Sequence, residues 1–591
     1  MKKVLLVLVV AAAVAAVAWR CSPRGDGGAP TRGGPTAAGG APFEGFDPDA
    51  ENPDRVRYDL GKMPFDPDLV GGVFTRQVLA IPSSLNGVTR TSEDAARYRK
   101  YYLGAPLLME APDRRDGATL ALPWGAVSLP EESEDGTVHV WTLRDDVTWE
   151  DGRPVVAEDY VFTLRMMRAE GVKAPQRESF ADLVKLEAVD VRRLRATWSR
   201  RVQRAVLQLG LDFHVVPAHA VPHDAAGFAA ATTHLSCGPY RVAAFGPDGL
   251  ELVLRDEYRR RPFPPRPHYV ERFRFRPLRD PATVYAHLVV GEIDLAQLDW
   301  DRFKAAGTDD AFQAAAWRAP VATPSFSLVF WNVTAPGDPN RAPHPLLSDV
   351  RVRRALDHLF DRMGVARAYF HGAARPISGP YPPGSPDSDP EILPRSYDPS
   401  RAAQLLAEAG FAPGPDGVLV RDGVRCALTL AYPDQPMPPY NASPQAFADA
   451  ARRIGVAVTL EPLAFDRLTA AASTRARDAV MILWQVDFIE PDVADVWRSR
   501  GAFTDAPNWS AYVDDALDRL FDALDAENDP ARRSAIRRKI HRRLHEEAPC
   551  SFLFSAAAPV GFSRRFANLE VHDLGVRLWD AVERSRFARL K

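Results

Sequence analysis

A chain of 591 residues is too long for one ordinary core and calls for two to four lobes. Its 46% hydrophobic and 26% charged residues exclude a disordered or fibrous chain, and a net charge of −3 leaves no basic footprint for nucleic acid. Of the four cysteines, three (Cys237, Cys426 and Cys550) lie in the body and can form at most one pair, which excludes a disulfide scaffold.

"MKK" precedes a continuous apolar run from Val4 to Trp19. A bilayer-spanning helix wants about 20 such residues, so residues 1–20 read as an export signal or anchor segment. Ala16-Val17-Ala18 offers a small-x-small cleavage site, and Cys21 follows closely, as in a bacterial lipoprotein. Trp19 and Arg20 stand where a lipoprotein signal carries small residues, which counts against lipidation of Cys21. Lipidation, cleavage to a soluble protein and an uncleaved anchor stay open, and each exports the body to the periplasm or cell envelope. Residues 21–45, rich in Gly, Pro, Ala and Thr, read as a flexible linker. Membrane contact is expected through the N-terminus only, and the body is expected to be a monomer.

Within the body, 71–86 reads as a strand and turn, and 93–108 as a helix entering "YYLGAPLLME". "WTLRDDVTWEDGRPVVAEDYVFTL", 141–164, alternates as a strand, turns at Glu150–Gly152 and continues as a helix over 157–169 with Glu158 and Asp159 in its first turn. Residues 171–230 mix short strands and loops. The stretch 237–260 is a hairpin about "GPDG". "SFSLVFWNVT", 325–334, is an apolar strand, and 348–362 a helix capped by Ser348 or Asp349. Asp398-Pro399 and Asp529-Pro530 open two further helices. The arginines of the second read as a solvated face over a buried stripe of Ala535, Ile536, Ile540 and Leu544. "CSFLFS", 550–555, is a late buried strand. Strands alternate with helices throughout, so the fold class is α/β or mixed α+β.

Reactive constellations are scarce. There is no phosphate loop, nucleophile elbow or zinc helix of the familiar spacings. His214, His219 and His223 are interrupted by Pro217 and Pro222, so they do not share one helix face as metal ligands. Cys237, three residues after His234, is a conceivable nucleophile but reads more simply as a small buried thiol. The exception is "ILWQVDFIEPDVADVW", where Asp487 closes an apolar run after Trp484 and Gln485. An acid there costs stability unless a donor or cation meets it: either Asp487 caps the next turn, or it faces a cleft and a ligand ammonium, with Trp484 as its wall.

Several segments together resemble the solute-binding proteins of bacterial ABC importers, the oligopeptide/dipeptide-binding type known as family 5. "LRDDVTWEDGRP" is similar to that family's strand ending LR-x-G-V-x-[FW]-x-D-G-x-P, and "SCGPYRV" to its G-T-G-P-Y strand. "FWNVTAP", "LLSDVRVRRALDHLFDR", "ISGPYPPGSP" and "YDPSRAAQLLAEAGF" follow in the family's order. The resemblance implies the class II periplasmic-binding-protein fold: two large α/β lobes with mixed sheets, a double-strand hinge and an extra smaller lobe. Lobe I would take 46–90, 231–325 and 556–591, lobe II 91–230, and lobe III 326–555, with 325–331 and 551–555 as the hinge. It also implies that a peptide or other small ligand is enclosed and handed to a permease, with no cofactor and no chemical transformation. Asp487 matches the family Asp in W-x-x-D and would pair with a ligand ammonium; Trp484, Gln485, Trp331 and Asn332 would wall the cleft. Some members carry Arg six residues before that Asp, where this chain has Met481, and others carry nickel, haem or oligosaccharides, so the ligand class stays open. An exported hydrolase and a tethered ligand sensor are the competing readings.

Overall fold

The computed structural model describes residues 64–587, apart from 90–92, 111–120, 175, 203–204, 264–267, 324, 339, 372, 382–384, 435–437, 486–492, 504–507, 528, 573–574 and 578–581. The expected signal, linker, Cys21 and Asp487 lie outside the described residues. None of the described helices is long and apolar enough to cross a membrane.

The corner at 141–164 forms as its pattern predicts. Trp141 and Leu143 turn inward, and Gly152 closes the turn at φ +86°, a conformation that suits glycine. Val156 takes the N-cap position of helix Ala157–Arg168 with no side-chain acceptor to offer. Asp159 compensates: its buried carboxylate accepts the Val156 N–H at 3.1 Å, the Trp149 Nε1–H at 3.0 Å and the Ala218 N–H at 2.9 Å. An acid expected against the helix dipole is thus a structural hub joining three segments.

Two mixed sheets organise the molecule. In an eight-stranded sheet the order is Ala316–Ala322, Phe554–Ser563, Leu295–Gln297, Gly71–Val78, Val270–Pro277, Gly249–Leu254 and Tyr240–Gly246, with Ala374–Pro376 appended to Phe554–Ser563. A five-stranded sheet runs Ala457–Leu463, Ala427–Pro433, Ala479–Gln485, Ser325–Trp331 and Cys550–Phe552. A four-stranded antiparallel sheet, Glu131–Glu132, Val138–Thr142, Arg193–Trp198 and Leu183–Ala188, shares a continuous core with the eight-stranded one. The apolar run of Ser325–Trp331 has a simple cause. Phe326, Leu328 and Phe330 enter the core on one face of the five-stranded sheet and Val329 and Trp331 the core on the other, so no position can be polar-out. These layers form the two-lobed α/β architecture.

The helix expected over 348–362 is two: Val350–Asp357 and Arg362–Phe370, the second opened by Asp361, which accepts the Gly364 N–H at 2.8 Å. Helix Pro530–Glu547 also departs from its expected faces. Ala535 is exposed, whereas Arg533 and Arg537 are buried with Ile540, His541 and Leu544. The arginines are tolerated inside because they find acceptors: Arg533 donates to the carbonyls of Leu524 and Glu527, and Arg537 pairs with Asp387 at 3.4 Å.

His541 on this helix anchors the loop after Ile377. Its Nδ1 accepts the Asp389 N–H at 3.0 Å, and Nε2 meets Ser378 Oγ at 3.1 Å, whose own proton goes to Ile392 O at 2.7 Å. Burial pushes this histidine down from 6.5 to about 4. The folded state therefore keeps the ring neutral while the unfolded chain protonates near its ordinary pKa. Stability contributed by His541 is full above about 6.5 and lost as pH falls toward 4, on the order of 3 kcal/mol. Denaturation midpoints measured at steps between pH 7 and pH 4 should fall for the wild type and fall less for His541→Gln; equal slopes would dismiss the assignment.

Candidate functional site

In the eight-stranded sheet, Gly71–Val78 runs parallel to Val270–Pro277 and Leu295–Gln297. Leu295–Gln297 pairs antiparallel with Phe554–Ser563, Gln297 lying opposite Val560, so the carboxyl ends of the parallel strands point toward Phe554. In the five-stranded sheet, Ala427–Pro433, Ala457–Leu463 and Ala479–Gln485 are parallel, and Gln485 lies opposite Ser325. The chain passes between the sheets twice, from Ala322 to Ser325 and from Phe552 to Phe554. Both sheets therefore aim the carboxyl ends of their parallel strands at the same double crossing. Outside such ends the backbone has no further strand partner, and ligands of open α/β sheets bind there.

The two passes are laced together. Ser555 Oγ donates to Ser325 O at 3.0 Å and the Leu553 N–H to Ser327 O at 2.9 Å; within the first pass the Thr323 and Ser325 hydroxyls lie 2.8 Å apart. The first crossing precedes the segment expected for it: Ser325–Trp331 belongs wholly to the five-stranded sheet, where it pairs with Ala479–Gln485 along its length.

Trp484 stands one residue before the strand end at Gln485, in register with Phe326. Its half-buried ring meets Phe330 edge-on at 6.0 Å and Trp509 at 5.7 Å, and Trp509 itself is buried. The indole therefore leans back from the crossing edge, along the sheet toward Phe330 and Trp509. Gln485 ends the same strand, two residues before Asp487.

Trp331 and Asn332, also expected in the wall, lie toward the other end of the strand. Six residues of antiparallel strand carry Trp331 roughly 20 Å from the Ser325 end, to the opposite edge. There Trp331 is fully buried, its Nε1–H donates to Ser551 Oγ at 3.0 Å, and its ring packs among Phe360 and Phe447. Asn332 spends its amide on the carbonyls of Arg475 and Arg477, at 3.0 and 3.2 Å, and its Oδ1 accepts from Thr334. Both hold lobe interior together.

Sequence pattern does not single out Trp300, which the tertiary structure places at the carboxyl edge of Leu295–Gln297. It opens helix Trp300–Ala305 behind the N-cap Asp299 and is packed by Phe303. Phe370 and His371 from across the crossing reach its ring at 6.3 and 6.5 Å, making a direct bridge between the two halves. The only signal for it in the sequence is its place just past an "IDLAQL" strand.

The other titratable candidates are separated. His219 pairs with Asp151 at 2.7 Å and His223 with Ala218 O at 2.7 Å, while His214 is buried. No group of three or more His, Cys, Asp or Glu poised around a metal ion occurs among the described residues. His234 Nε2 accepts the Gly87 N–H at 3.2 Å rather than serving Cys237 as a base. Burial pushes the Cys237 thiol up to about 11 and Cys426 up to about 12, and raises Cys550 as well. A buried thiol that stays protonated is not a nucleophile. Titration with a thiol reagent should leave these three unreacted in the folded protein and label all three after unfolding; native labelling of Cys237 would restore it as a reactive group.

Three comparisons bear on this geometry. The family described as bacterial extracellular solute-binding proteins, family 5 Middle, matches residues 121–501. Protein XP55 of Streptomyces lividans is 28% identical over 440 residues, covering 72% of this chain and 75% of that protein. The probable D,D-dipeptide-binding periplasmic protein DdpA of Escherichia coli is 23% identical over 448 residues, 74% of this chain and 78% of its own length. Among solved structures, NikZ from Campylobacter jejuni in complex with Ni(L-His) superposes with a TM-score of 0.65 at 19% identity, covering 88% of this chain and 100% of that one, a likeness of fold.

Proposed function

Because the chain belongs to the family 5 bacterial extracellular solute-binding proteins, which bind solutes for transport and are not enzymes, we propose that it captures a peptide or peptide-like ligand between its two large sheets and delivers it to an ABC-transporter permease. The observation that carries the reading is the pair of strand edges aimed at one double crossing, with Trp484 at the rim. An extended peptide there would add its main chain to unpaired strand ends, which gives affinity with little side-chain choice. Closing two lobes about two short passes is a hinge motion, and the closed form is what a permease would read. In this proposal Asp487 pairs with the ligand ammonium, Trp484 and Gln485 wall the site, and lobes I and III, as divided above, form its jaws. The D,D-dipeptide-binding relative supports a peptide. The test is native mass spectrometry of the purified protein with its trapped cargo: a peptide series supports the reading, and an empty protein that takes up no peptide from a mixed library defeats it.

One observation favours a second ligand class. Position 481, where some members hold a peptide carboxylate with Arg, is a buried Met packed in the core. A ligand without a free carboxylate at that end, such as an oligosaccharide or a nickel or haem complex, would not miss the arginine. The solved neighbour holding Ni(L-His) belongs to this range. The same mass spectra distinguish it.

A further inference from the structure

At the pole of the eight-stranded sheet opposite the crossing, helices Pro281–Val289 and Asp310–Ala315 end and strand Phe554–Ser563 turns back. Between them lies a shallow, solvent-open depression of about 490 Å³. Arg564, Arg565 and Arg584 line it, Ser585 adds a hydroxyl, and Val290, 69% exposed, forms an apolar lip. Main-chain bonds orient the arginines: Arg564 Nε to Gln313 O at 2.7 Å, Arg565 Nη1 to Gly291 O at 3.0 Å, and Arg584 Nε to Arg564 O at 2.9 Å. Among the described residues, Arg565 Nη2 and both Nη atoms of Arg584 have no hydrogen-bond partner. Asp294, buried, lies 3.4 Å from Arg565 and accepts the Thr75 N–H at 2.8 Å, and Glu292 adjoins the lining residue Gly291 in the chain. The site thus has open N–H groups on two guanidinium forks, those of Arg565 and Arg584.

The chain also enters the described body at this pole. Phe65 stacks on Tyr269 at 5.6 Å, and Arg586, two residues after Arg584, donates to Asp68 O at 3.3 Å just before strand Gly71–Val78 begins.

We propose that this depression binds a phosphate-bearing organic anion: fixed guanidinium forks suit the oxygens of a phosphate ester, and the valine lip suits an apolar or neutral body beside it. Two sources share that chemistry, the headgroup of an anionic phospholipid and a water-soluble phosphate ester. The site lies away from the cleft, so it stands whether or not the cleft takes peptides.

The test uses the full chain in detergent and in nanodiscs. Calorimetric titration with glycerophosphoglycerol, the soluble headgroup of phosphatidylglycerol, should show binding that Arg565→Gln or Arg584→Gln weakens about ten-fold or more. Arg584→Gln removes a side chain whose one bond is to Arg564 O, so it is the variant expected to fold unchanged, and far-UV circular dichroism checks it. Amide exchange at 563–565 and 584–585 should slow in phosphatidylglycerol nanodiscs relative to phosphatidylcholine nanodiscs and lose that difference in the variant. Headgroup binding without the nanodisc effect assigns the site to soluble phosphate esters; the nanodisc effect assigns it to lipid. Neither signal, or signals that survive both substitutions, overturns the proposal.

Discussion

Asp357→Ala should lower the unfolding free energy by about 3–5 kcal/mol, the cost of leaving buried charge without its partner. The carboxylate ends helix Val350–Asp357 and is 5% exposed in its side chain, between Arg362 at 4% and Arg395 at 13%. Its Oδ1 pairs with Arg362 and its Oδ2 with Arg395 Nη1 at 2.9 Å. Burial alone would raise this carboxyl, but the two guanidinium charges outweigh it and hold the pKa below the usual range. Arg362 in turn donates through Nε to Phe552 O at 2.7 Å, the last residue before the second crossing, and Arg395 to His545 O at 2.5 Å. Removing the carboxylate strands two cations in the interior and loosens the strand that leads into the crossing. Urea denaturation of wild type and variant measures the effect. A loss under about 1 kcal/mol would mean that water reaches the arginines and that they need no anion. Asp357→Asn, which keeps the shape and loses the charge, should fall close to the alanine variant.

The second large effect concerns the proposed cleft. Asp487→Ala should weaken binding of the copurified ligand by about two orders of magnitude or more, since an ammonium enclosed without its carboxylate forfeits about 3–5 kcal/mol. The residue follows in sequence a strand whose last members, Trp484 and Gln485, stand at the crossing edge. Isothermal titration of the ligand-stripped protein decides the matter. Unchanged affinity removes Asp487 from the site and leaves the turn-capping role. A loss matched by Trp484→Ala and absent in Trp331→Phe would separate the rim of the cleft from the lobe interior, because Trp331 lies at the far edge of the same sheet.

Local chemistry was legible without coordinates. Asp398 and Asp529 accept the N–H groups of Arg401 and Arg532, each at 2.8 Å, because an Asp-Pro pair presets the first helical turn whatever the rest of the chain does. Asp349 caps its helix in the same way, accepting the Arg351 N–H at 2.9 Å. The hairpin Tyr240–Gly246 and Gly249–Leu254 closes on its Gly-Pro-Asp-Gly turn for a similarly local reason. Helix Pro530–Glu547 marks the limit. Its arginine-rich face read as solvated, yet Arg533 and Arg537 are buried, because the acceptors that admit them come from other segments, Asp387 among them.

The amino-acid sequence by itself determined the alternation of strands and helices, the caps and turns, the family likeness and the apolar strand before Asp487, all of which depend on neighbours within a few positions. Only the tertiary structure decided which strand ends share an edge. Pairing Ser325 with Gln485 and Gln297 with Val560 joins residues far apart in the chain, and that pairing sends Trp331 inward, leaves Trp484 at the rim and brings Trp300 across to Phe370. Antiparallel pairing reverses direction, so two residues on one strand can serve opposite ends of a lobe, and no periodicity along the chain records which end faces the ligand.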